Sequence, residues 1–272
     1  MSESRQSVAT VPAAPAAARG WQVVSALVRG TSHFKTNQPG QDRLRWEVLP
    51  GDRLLAVLAD GAGSASFAEV GAELASNTAF TTFRARVVAP GTPTDAQWKE
   101  WLREALTAGR ESVVAEAARR EVRPRELAST LAILLVSREL VVAAQIGDGA
   151  SVLGEADGEL VAVTRPGLGE FINETTFVTA DNALEAPQLE VRPGRWRRVA
   201  FFSDGLQLLA LKLPAGEPHG PFFAPLFRFL AARPEPQAAT AQLEAFLQSP
   251  RITDRTDDDL TLLLAVWPEA AA

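Results

Sequence analysis

The chain has 272 residues and a formal net charge of −6, and 46% of its residues are hydrophobic, so it can bury a sizeable core. The negative charge disfavours nucleic acid and anionic membranes as partners. The absence of cysteine excludes disulfides and cysteine nucleophiles, and His33 and His219 alone cannot build a histidine-rich metal site. No apolar run reaches the roughly 18 residues that a membrane span needs, so no span is expected.

The N-terminus is rich in Ala, Pro and Ser and lacks the basic start and long apolar segment of a targeting signal. We predict that residues 1–19 form a disordered leader and that residues 20–268 form a single domain. A cytoplasmic location and a monomeric state are the default expectations.

Apolar runs predict strands, in chain order, at 21–28, 44–49, 53–59, 129–136, 140–146, 151–153, 160–163, 199–202 and 260–266. Helical spacing of apolar residues predicts helices at 67–88, 95–121, 222–232 and 237–247. The connection at 137–139 is too short for a parallel crossover, so the strands around it form an antiparallel hairpin. Runs of strands followed by runs of helices predict an α+β fold, with a two-sheet core and helices on the outside.

Residues 165–198 form a long, weakly periodic segment with several polar side chains. We predict a flap-like insertion that lies over the edge of the sheet. Long loops of this kind in compact domains are often functional, and a plain surface loop is the alternative that the sequence leaves open.

Four Asp-Gly pairs occur along the chain, beginning at Asp60, Asp148, Asp157 and Asp204. An Asp-Gly pair on its own indicates a hairpin turn, because glycine readily adopts a positive φ. We assign that role to the pair at Asp157, which has a glutamate on either side. The other three pairs directly follow strongly hydrophobic strands, so their carboxylates are expected at the rim of the core.

A further acidic group, Asp257-Asp258-Asp259, precedes the apolar run LTLLLAV. Three like charges in a row often form a solvated cap. Several strand-end aspartates that converge would instead repel one another and need compensating cations. With no cysteine and almost no histidine, Mg²⁺ or Mn²⁺ bound by oxygen ligands is the consistent choice.

Six segments carry a more specific signal when they are taken together. They are GTSHFKTNQPGQDR (30–43), LAVLADGAGSASFAEVGAELAS (55–76), ELASTLAILLV (126–136), VVAAQIGDGASVL (141–153), FFSDGL (201–206) and DDDLTLLLA (257–265). In this order and spacing they resemble the signature motifs of type 2C serine/threonine protein phosphatases, the PPM family, in its compact bacterial branch. The resemblance covers roughly residues 21–267.

The resemblance implies a four-layer αββα sandwich, in which two mainly antiparallel sheets are flanked by helices and a two-metal centre lies in a cleft at one end. It implies that Asp60 bridges two Mg²⁺ or Mn²⁺ ions. The Gly61 carbonyl would be a ligand of the second ion, and Asp204 and Asp258 would complete the protein ligands of the first.

Two further aspartates match supporting positions of the family. Asp42 matches an acidic residue that reaches the ions directly or through water, and Asp148 matches one that, with Asp204, holds a labile third ion. Asp259 occupies a position often filled by asparagine, so it is not expected to bind an ion. The implied reaction is hydrolysis of phosphoserine and phosphothreonine on proteins by direct attack of a metal-activated water, without a phospho-enzyme. A Ser/Thr kinase would be the natural counterpart.

The first motif departs from the family pattern at one position. The family usually has a phosphate-binding arginine five residues before Asp42, and this chain has Asn37 there. His33 and Lys35 are the nearest candidates to bind the substrate phosphate, although a lone histidine in a loop is also often structural. In the insertion, residues 173–175 (Asn-Glu-Thr) would lie beside the cleft, where they either recognise substrate or form hydrogen bonds within the loop.

Two other functions are alternatives. A pseudophosphatase or phosphopeptide-binding module on the same fold would be indicated by loss of the metal aspartates, which this chain retains. A phosphotransferase of the haloacid-dehalogenase type needs a second aspartate two residues after its nucleophile, and Ala62 stands there after Asp60. Neither a Walker-type loop nor a G-x-G-x-x-G fingerprint is present, which disfavours nucleotide binding.

Overall fold

The computed structural model describes residues 20–156, 158–166, 175–232 and 234–268. The strands are β1 (Gln22–Val28), β2 (Arg43–Leu49), β3 (Arg53–Ala59), β4 (Leu131–Val136), β5 (Leu140–Ile146), β6 (Ala150–Glu155), β7 (Leu160–Thr164), β8 (Gln188–Pro193), β9 (Trp196–Phe202), β10 (Leu211–Lys212), β11 (Glu217–Pro218) and β12 (Leu260–Val266). The helices are α1 (Thr31–Lys35), α2 (Ala68–Val88), α3 (Asp95–Arg119), α4 (Gln207–Ala210), α5 (Gly220–Ala231), α6 (Pro236–Leu247) and α7 (Pro250–Thr253). Short 3₁₀ turns cover Pro124–Leu127 and Asp204–Leu206.

Two five-stranded antiparallel sheets form the centre of the fold. One sheet has the order β2-β3-β4-β5-β8 and the other has the order β1-β12-β9-β6-β7, while β10 and β11 form a small ribbon. The antiparallel pairing of β4 with β5 confirms the hairpin predicted around 137–139.

Three apolar layers hold the sheets and helices together. One face of β3 to β5, which includes Leu55, packs on α2 and α3. The other face, which includes Leu54, packs on the second sheet through residues such as Phe201. The outer face of that sheet, which includes Phe202, packs on α5 and α6 through Phe223 and its neighbours. The order helices, sheet, sheet, helices confirms the four-layer αββα sandwich, and burial on both faces explains why the central strands are continuously apolar.

The helix boundaries follow local sequence signals. Thr94 begins α3 with a capping box, in which its side chain accepts a hydrogen bond from the Gln97 backbone N–H and the Gln97 side chain accepts one from the Thr94 N–H. The predicted ends of the four long helices lie within two residues of the observed ones. In the described part of the chain, no helix is long and apolar enough to cross a membrane.

The segment 165–198 contains more regular structure than its sequence indicated. Residues 188–193 form the edge strand β8, which pairs with β5, and β9 begins at Trp196. The side chains of β8 are half-buried along almost its whole length. Its sequence alternates polar and apolar residues, but Leu189 and Val191 alone carry that alternation, so the strand pattern is short. The rest of the segment, 165–187, has no helix or strand among its described residues. Within it, 167–174 lie outside the described residues, as do the expected leader 1–19 and the expected turn residue Asp157.

Candidate metal centre

The strand-end aspartates gather at one end of the two sheets. Strands β3 and β9 end there, β2 and β12 begin there, and the turn between β5 and β6 lies there. These elements carry Asp60, Asp204, Asp42, Asp258 and Asp148. The strand order thus brings together carboxylates that are far apart in the sequence, and Asp60 lies close enough to Asp42, Asp204 and Asp258 for their charges to act on it.

Asp60 is held in place by the start of β4. Its backbone N–H donates to Thr130 Oγ1 at 2.9 Å, and its carbonyl accepts from the Thr130 N–H at 2.7 Å. Gly61 forms an isolated bridge with Ser129, and the Ala62 N–H donates to the Ala128 carbonyl at 2.9 Å. The loop after β3 is therefore fixed by backbone contacts, and Asp60 enters the cluster from a rigid position.

Gly205, which follows Asp204, allows β9 and β12 to approach each other closely. A Cβ at position 205 would lie 2.2 Å from the Asp259 carbonyl oxygen, so only glycine lets the end of β9 come this near to the start of β12. The pair at Asp204 is accordingly not a hairpin turn. The contact sets Asp204 beside Asp258, which is the exposed member of the cluster.

Asp42 is the most deeply buried carboxylate of the cluster and is 5% exposed. Its Oδ2 accepts hydrogen bonds from Ser203 Oγ and Thr261 Oγ1, both at 2.7 Å. Ser203 directly follows β9 and Thr261 lies in β12, which are neighbours in one sheet, whereas Asp42 directly precedes β2 of the other sheet. This network therefore ties the two sheets together at the cluster. The other oxygen, Oδ1, is buried and has no partner among the described residues.

Asp148 lies in the turn between β5 and β6, where three polar side chains contact it or its neighbours. Thr175 Oγ1 donates to Asp148 Oδ2, and Gln207 Nε2 donates to the Asp148 carbonyl at 2.6 Å. Gln145 Nε2 donates to the Gly149 carbonyl at 2.7 Å and to the Arg165 carbonyl at 2.9 Å. Arg165, at the start of the loop, and Thr175, within it, are thereby connected to the Asp148 turn.

Asp259 plays a different part from its neighbour Asp258. It is 2% exposed, and its carboxylate accepts from the backbone N–H groups of Gly30 at 2.6 Å and Gln41 at 2.5 Å. His33 Nδ1 lies 2.9 Å from the same carboxylate. Asp259 thus anchors both ends of the loop that leads to Asp42.

Burial and mutual repulsion raise the pKa values of the clustered carboxylates. Burial raises the pKa of Asp42 to about 7. Burial, together with the charges of Asp148 and Asp258, raises the pKa of Asp204 to about 6. Burial, and then the charges of Asp42 and Asp204, raise the pKa of Asp60 well above its ordinary value. Without a positive charge among them, these groups resist being ionised together near neutral pH.

The donor set fits a hard divalent cation. Asp42 Oδ1 and Asp204 Oδ1 are buried oxygens without hydrogen-bond partners among the described residues, and buried carboxylate oxygens normally have a partner or a cation. In the described ranges, no three Asp, Glu or His side chains already surround a single point as a closed ligand set. Mg²⁺ does not need one, because it keeps several waters and takes only one or two carboxylates directly.

Comparison with known proteins decides the family. A family model described as protein phosphatase 2C matches residues 29–248. The chain belongs to the protein phosphatase 2C family. Serine/threonine-protein phosphatase 3 of Escherichia coli (strain K12) is 37% identical to this phosphatase over 261 residues, which cover 92% of this chain and 99% of the relative.

Solved structures share the fold of this phosphatase. The serine/threonine phosphatase Stp1 from Staphylococcus aureus superposes with a TM-score of 0.63 at 16% identity, over 94% of this chain and 99% of that one. The catalytic domain of the phosphatase PstP, in complex with two manganese ions, gives a TM-score of 0.56 at 20% identity, over 92% and 99%. These likenesses confirm the α+β fold. The family membership makes the chain a metal-dependent protein phosphatase.

The residues considered for phosphate binding have different surroundings in this phosphatase. Lys35, at the end of α1, is exposed, whereas His33 is buried and bonded to Asp259. Asn37, which replaces the usual arginine, has a φ of 56°, a left-handed conformation that asparagine tolerates better than most residues. Of the residues at 173–175, only Thr175 is described, and its hydrogen bond is to Asp148.

Sequence reasoning did not identify the polar residues that support the aspartates. Ser203, Thr261, Thr130 and Gln145 are all buried and hydrogen-bonded around the cluster. Each stands in or beside an otherwise apolar strand. A single polar residue in an apolar run needs a hydrogen-bond partner when it is buried. The presence of such a residue in or beside an apolar strand was the sequence signal that could have identified these four.

Proposed function

We propose that this phosphatase hydrolyses phosphoserine and phosphothreonine in proteins, with two Mg²⁺ or Mn²⁺ ions held by the aspartate cluster. The observation that carries the proposal is a pair of buried oxygens, on Asp42 and Asp204, that have no hydrogen-bond partner among the described residues and lie inside a group of aspartates with raised pKa values. Cations at this place would satisfy both oxygens and offset the repulsion between the carboxylates. The presence of all five aspartates at one end of the sheets disfavours a pseudophosphatase.

The ligands follow from the residues that the fold brings together. Asp60 would bridge the two ions, the Gly61 carbonyl would bind the second, and Asp204 and Asp258 would bind the first. Asp42 would reach the ions directly or through water. When bound, the ions supply a water of lowered pKa for attack on phosphorus and a positive field for the phosphoryl oxygens.

Asp148 has a separate place in the proposal. With Asp204 it would hold a labile third ion, and its charge already acts on the Asp204 carboxylate. Asp148 Oδ2 accepts a hydrogen bond from Thr175 Oγ1. An ion at Asp148 would either displace this hydrogen bond or bind beside it.

The side chains around the cluster would orient the aspartates and bind the substrate phosphate. Ser203 and Thr261 orient Asp42 through two hydrogen bonds, and Thr130 fixes the backbone of Asp60. Lys35 is exposed, and no carboxylate of a described residue lies within ion-pair distance of it. We place Lys35 at the substrate phosphate as a single positive charge and assign His33 a supporting role through Asp259.

The proposal also covers the domain organisation and the position of the loop 165–187. Residues 20–268 would act as a single, monomeric domain, and the loop 165–187 would lie beside the cleft. The hydrogen bonds that connect Arg165 and Thr175 to the Asp148 turn support this position for the loop. The phosphoprotein substrates would come from a Ser/Thr kinase.

The test combines metal dependence with a matched pair of variants. The purified protein is expected to hydrolyse a small aryl phosphate and a phosphothreonine peptide with Mn²⁺ or Mg²⁺, and EDTA should stop both reactions. Asp204→Asn should lower kcat/KM by at least about 10³-fold, because several kcal/mol of transition-state stabilisation is lost. The control is Asp254→Asn, which makes the same change at an exposed position after α7 and should keep full activity. Turnover in EDTA, or wild-type turnover by Asp204→Asn, would contradict the proposal.

A further inference from the structure

A basic cavity lies at the end of the sandwich opposite the aspartates. It has a volume of about 290 Å³ and is lined by Arg138, Glu139, Arg195, Trp196 and Arg197. β9 runs from this cavity to Asp204, and at about 3.3 Å per residue its length places the two sites more than about 20 Å apart. The cavity is therefore separate from the proposed metal centre.

The cavity is built by two turns that lie side by side. The Gly194 N–H donates to the Glu139 carbonyl and the Trp196 N–H donates to the Arg138 carbonyl, both at 3.0 Å. A Cβ at Gly194 would lie 2.4 Å from the indole of Trp196, so glycine allows the ring to pack across the turn. The Arg138 guanidinium lies 5.1 Å from the centre of the Trp267 ring. Backbone pairing and aromatic packing thus preorganise arginines from both turns around one space.

A second cavity of about 360 Å³ shares Arg197 with the first. Its lining includes Arg198, Phe227, Ala231, Val266 and Trp267. The two cavities together offer a cationic part and an apolar part that are joined at Arg197.

Arg138, Arg195 and Arg197 are available for an external anion, whereas the Arg198 guanidinium donates hydrogen bonds to the Glu155 and Gly158 carbonyls. Among the described residues, none of Arg138, Arg195, Arg197 and Arg198 has a carboxylate within 4.0 Å. The chain as a whole carries a net charge of −6, so a basic composition does not account for this grouping. The aspartate cluster at the other end repels anions, and the molecule therefore presents opposite charges at its two ends.

We propose that the two cavities bind an acidic segment of a protein partner. Its carboxylates would pair with Arg138, Arg195 and Arg197, and an apolar side chain next to them would pack against Phe227 and Ala231. Guanidinium groups match carboxylates well through paired hydrogen bonds. A peptide suits the surface better than a nucleic acid, because one cavity is lined by apolar side chains and the net negative charge opposes a long polyanion. The proposal does not depend on the reaction at the aspartates.

Binding of a short fluorescein-labelled peptide of Asp, Glu and Leu residues, followed by fluorescence anisotropy, tests this inference. The wild-type protein is expected to bind the peptide and to lose affinity as salt is raised. The double variant Arg195→Gln/Arg197→Gln should bind about tenfold more weakly, because two charge-assisted contacts are lost. Hydrolysis of a small aryl phosphate should stay at the wild-type level, since the surface is remote from the aspartates.

The matched control is Arg119→Gln/Arg123→Gln, which removes the same charge from exposed arginines elsewhere and should leave peptide binding unchanged. If the pocket variant is poorly folded, Ala231→Glu offers a second route, because it adds a carboxylate at an exposed position beside Arg197 and should weaken binding. Equal peptide affinity in the pocket and control variants would overturn the proposal. So would tighter binding of a single-stranded DNA oligonucleotide of the same length, or no peptide binding by the wild type.

Discussion

The two ends of the sandwich carry opposite charges and are built in different ways. At the acidic end, aspartates are drawn together, partly buried and held by hydrogen bonds and close backbone contacts. At the basic end, Arg138 and Arg195 stand exposed on two turns. Burying like charges together is costly unless a cation binds between them. The exact positions of the carboxylate oxygens should therefore be critical at the acidic end. Exposed charges act collectively through water, so the basic end should tolerate small displacements.

After Asp204→Asn, the next largest effect is expected from adding one carbon atom at the acidic end. In Gly205→Ala the new Cβ would lie 2.2 Å from the Asp259 carbonyl, so the end of β9 and the start of β12 must move apart. A displacement of the aspartates by about 1 Å should lower kcat for an aryl phosphate by about 10²-fold. Circular dichroism would establish that the variant is folded.

The matched control is Gly63→Ala, in the loop that follows Asp60. A Cβ at position 63 has no neighbour within 4 Å, so activity should be retained. Equal activity of the two variants would mean that close strand approach does not set the aspartate geometry.

A smaller effect is expected from removing one hydroxyl group next to Asp42. Thr261→Val keeps the shape of the side chain but deletes a 2.7 Å hydrogen bond to Asp42 Oδ2. Loss of such a supporting contact should raise the Mn²⁺ concentration needed for half-maximal activity by about tenfold or more.

Thr164→Val provides the comparison, because Thr164 is also buried and its hydroxyl contacts Ser151 instead of an aspartate of the cluster. That variant should lose some stability and keep the wild-type Mn²⁺ requirement. A shift in the requirement of equal size in both variants would argue against a specific role for Thr261.

The smallest effect concerns the pH dependence of stability after metal removal. The pKa of Asp42 is raised from 3.8 to about 7, so between these values the folded protein holds a proton that the unfolded chain has lost. This contribution is complete below about pH 4 and disappears as the pH rises through about 7. In EDTA, the free energy of unfolding should therefore increase by about 2 kcal/mol from about pH 8 to about pH 5.

Urea unfolding at several pH values would measure this trend. Saturating Mn²⁺ should remove it, because the cation replaces the protons as the source of positive charge. A metal-free protein whose stability does not change with pH in this range would show that the acidic end is not under electrostatic strain.

The strongly patterned parts of the fold were predictable from the sequence. The central strands are continuous apolar runs because they are buried between two layers, and the long helices carry clear stop and start signals. β8 was missed because its period of two rests on only two apolar side chains, Leu189 and Val191, and both are only half-buried. Partial burial at a sheet edge leaves little hydrophobic signal.

The site was predicted in kind but not in detail. The runs that end at Asp60 and Asp204 indicated carboxylates at the rim of the core, and the structure brings these together with Asp42 and Asp148. The direction of His33 was not predictable. It is turned to Asp259 by a contact between residues 226 positions apart, and no local pattern encodes such a pairing.

The sequence by itself determined the residue types and their places at strand ends, and with them the family and its metal chemistry. Only the tertiary structure decided which neighbouring carboxylates share an environment. Asp258 is exposed at the cluster, while Asp259, one residue further, is buried as a backbone anchor. Asp258 lies in a bend just before β12, and which side of this segment meets the cluster depends on the packing of β12 between β1 and β9.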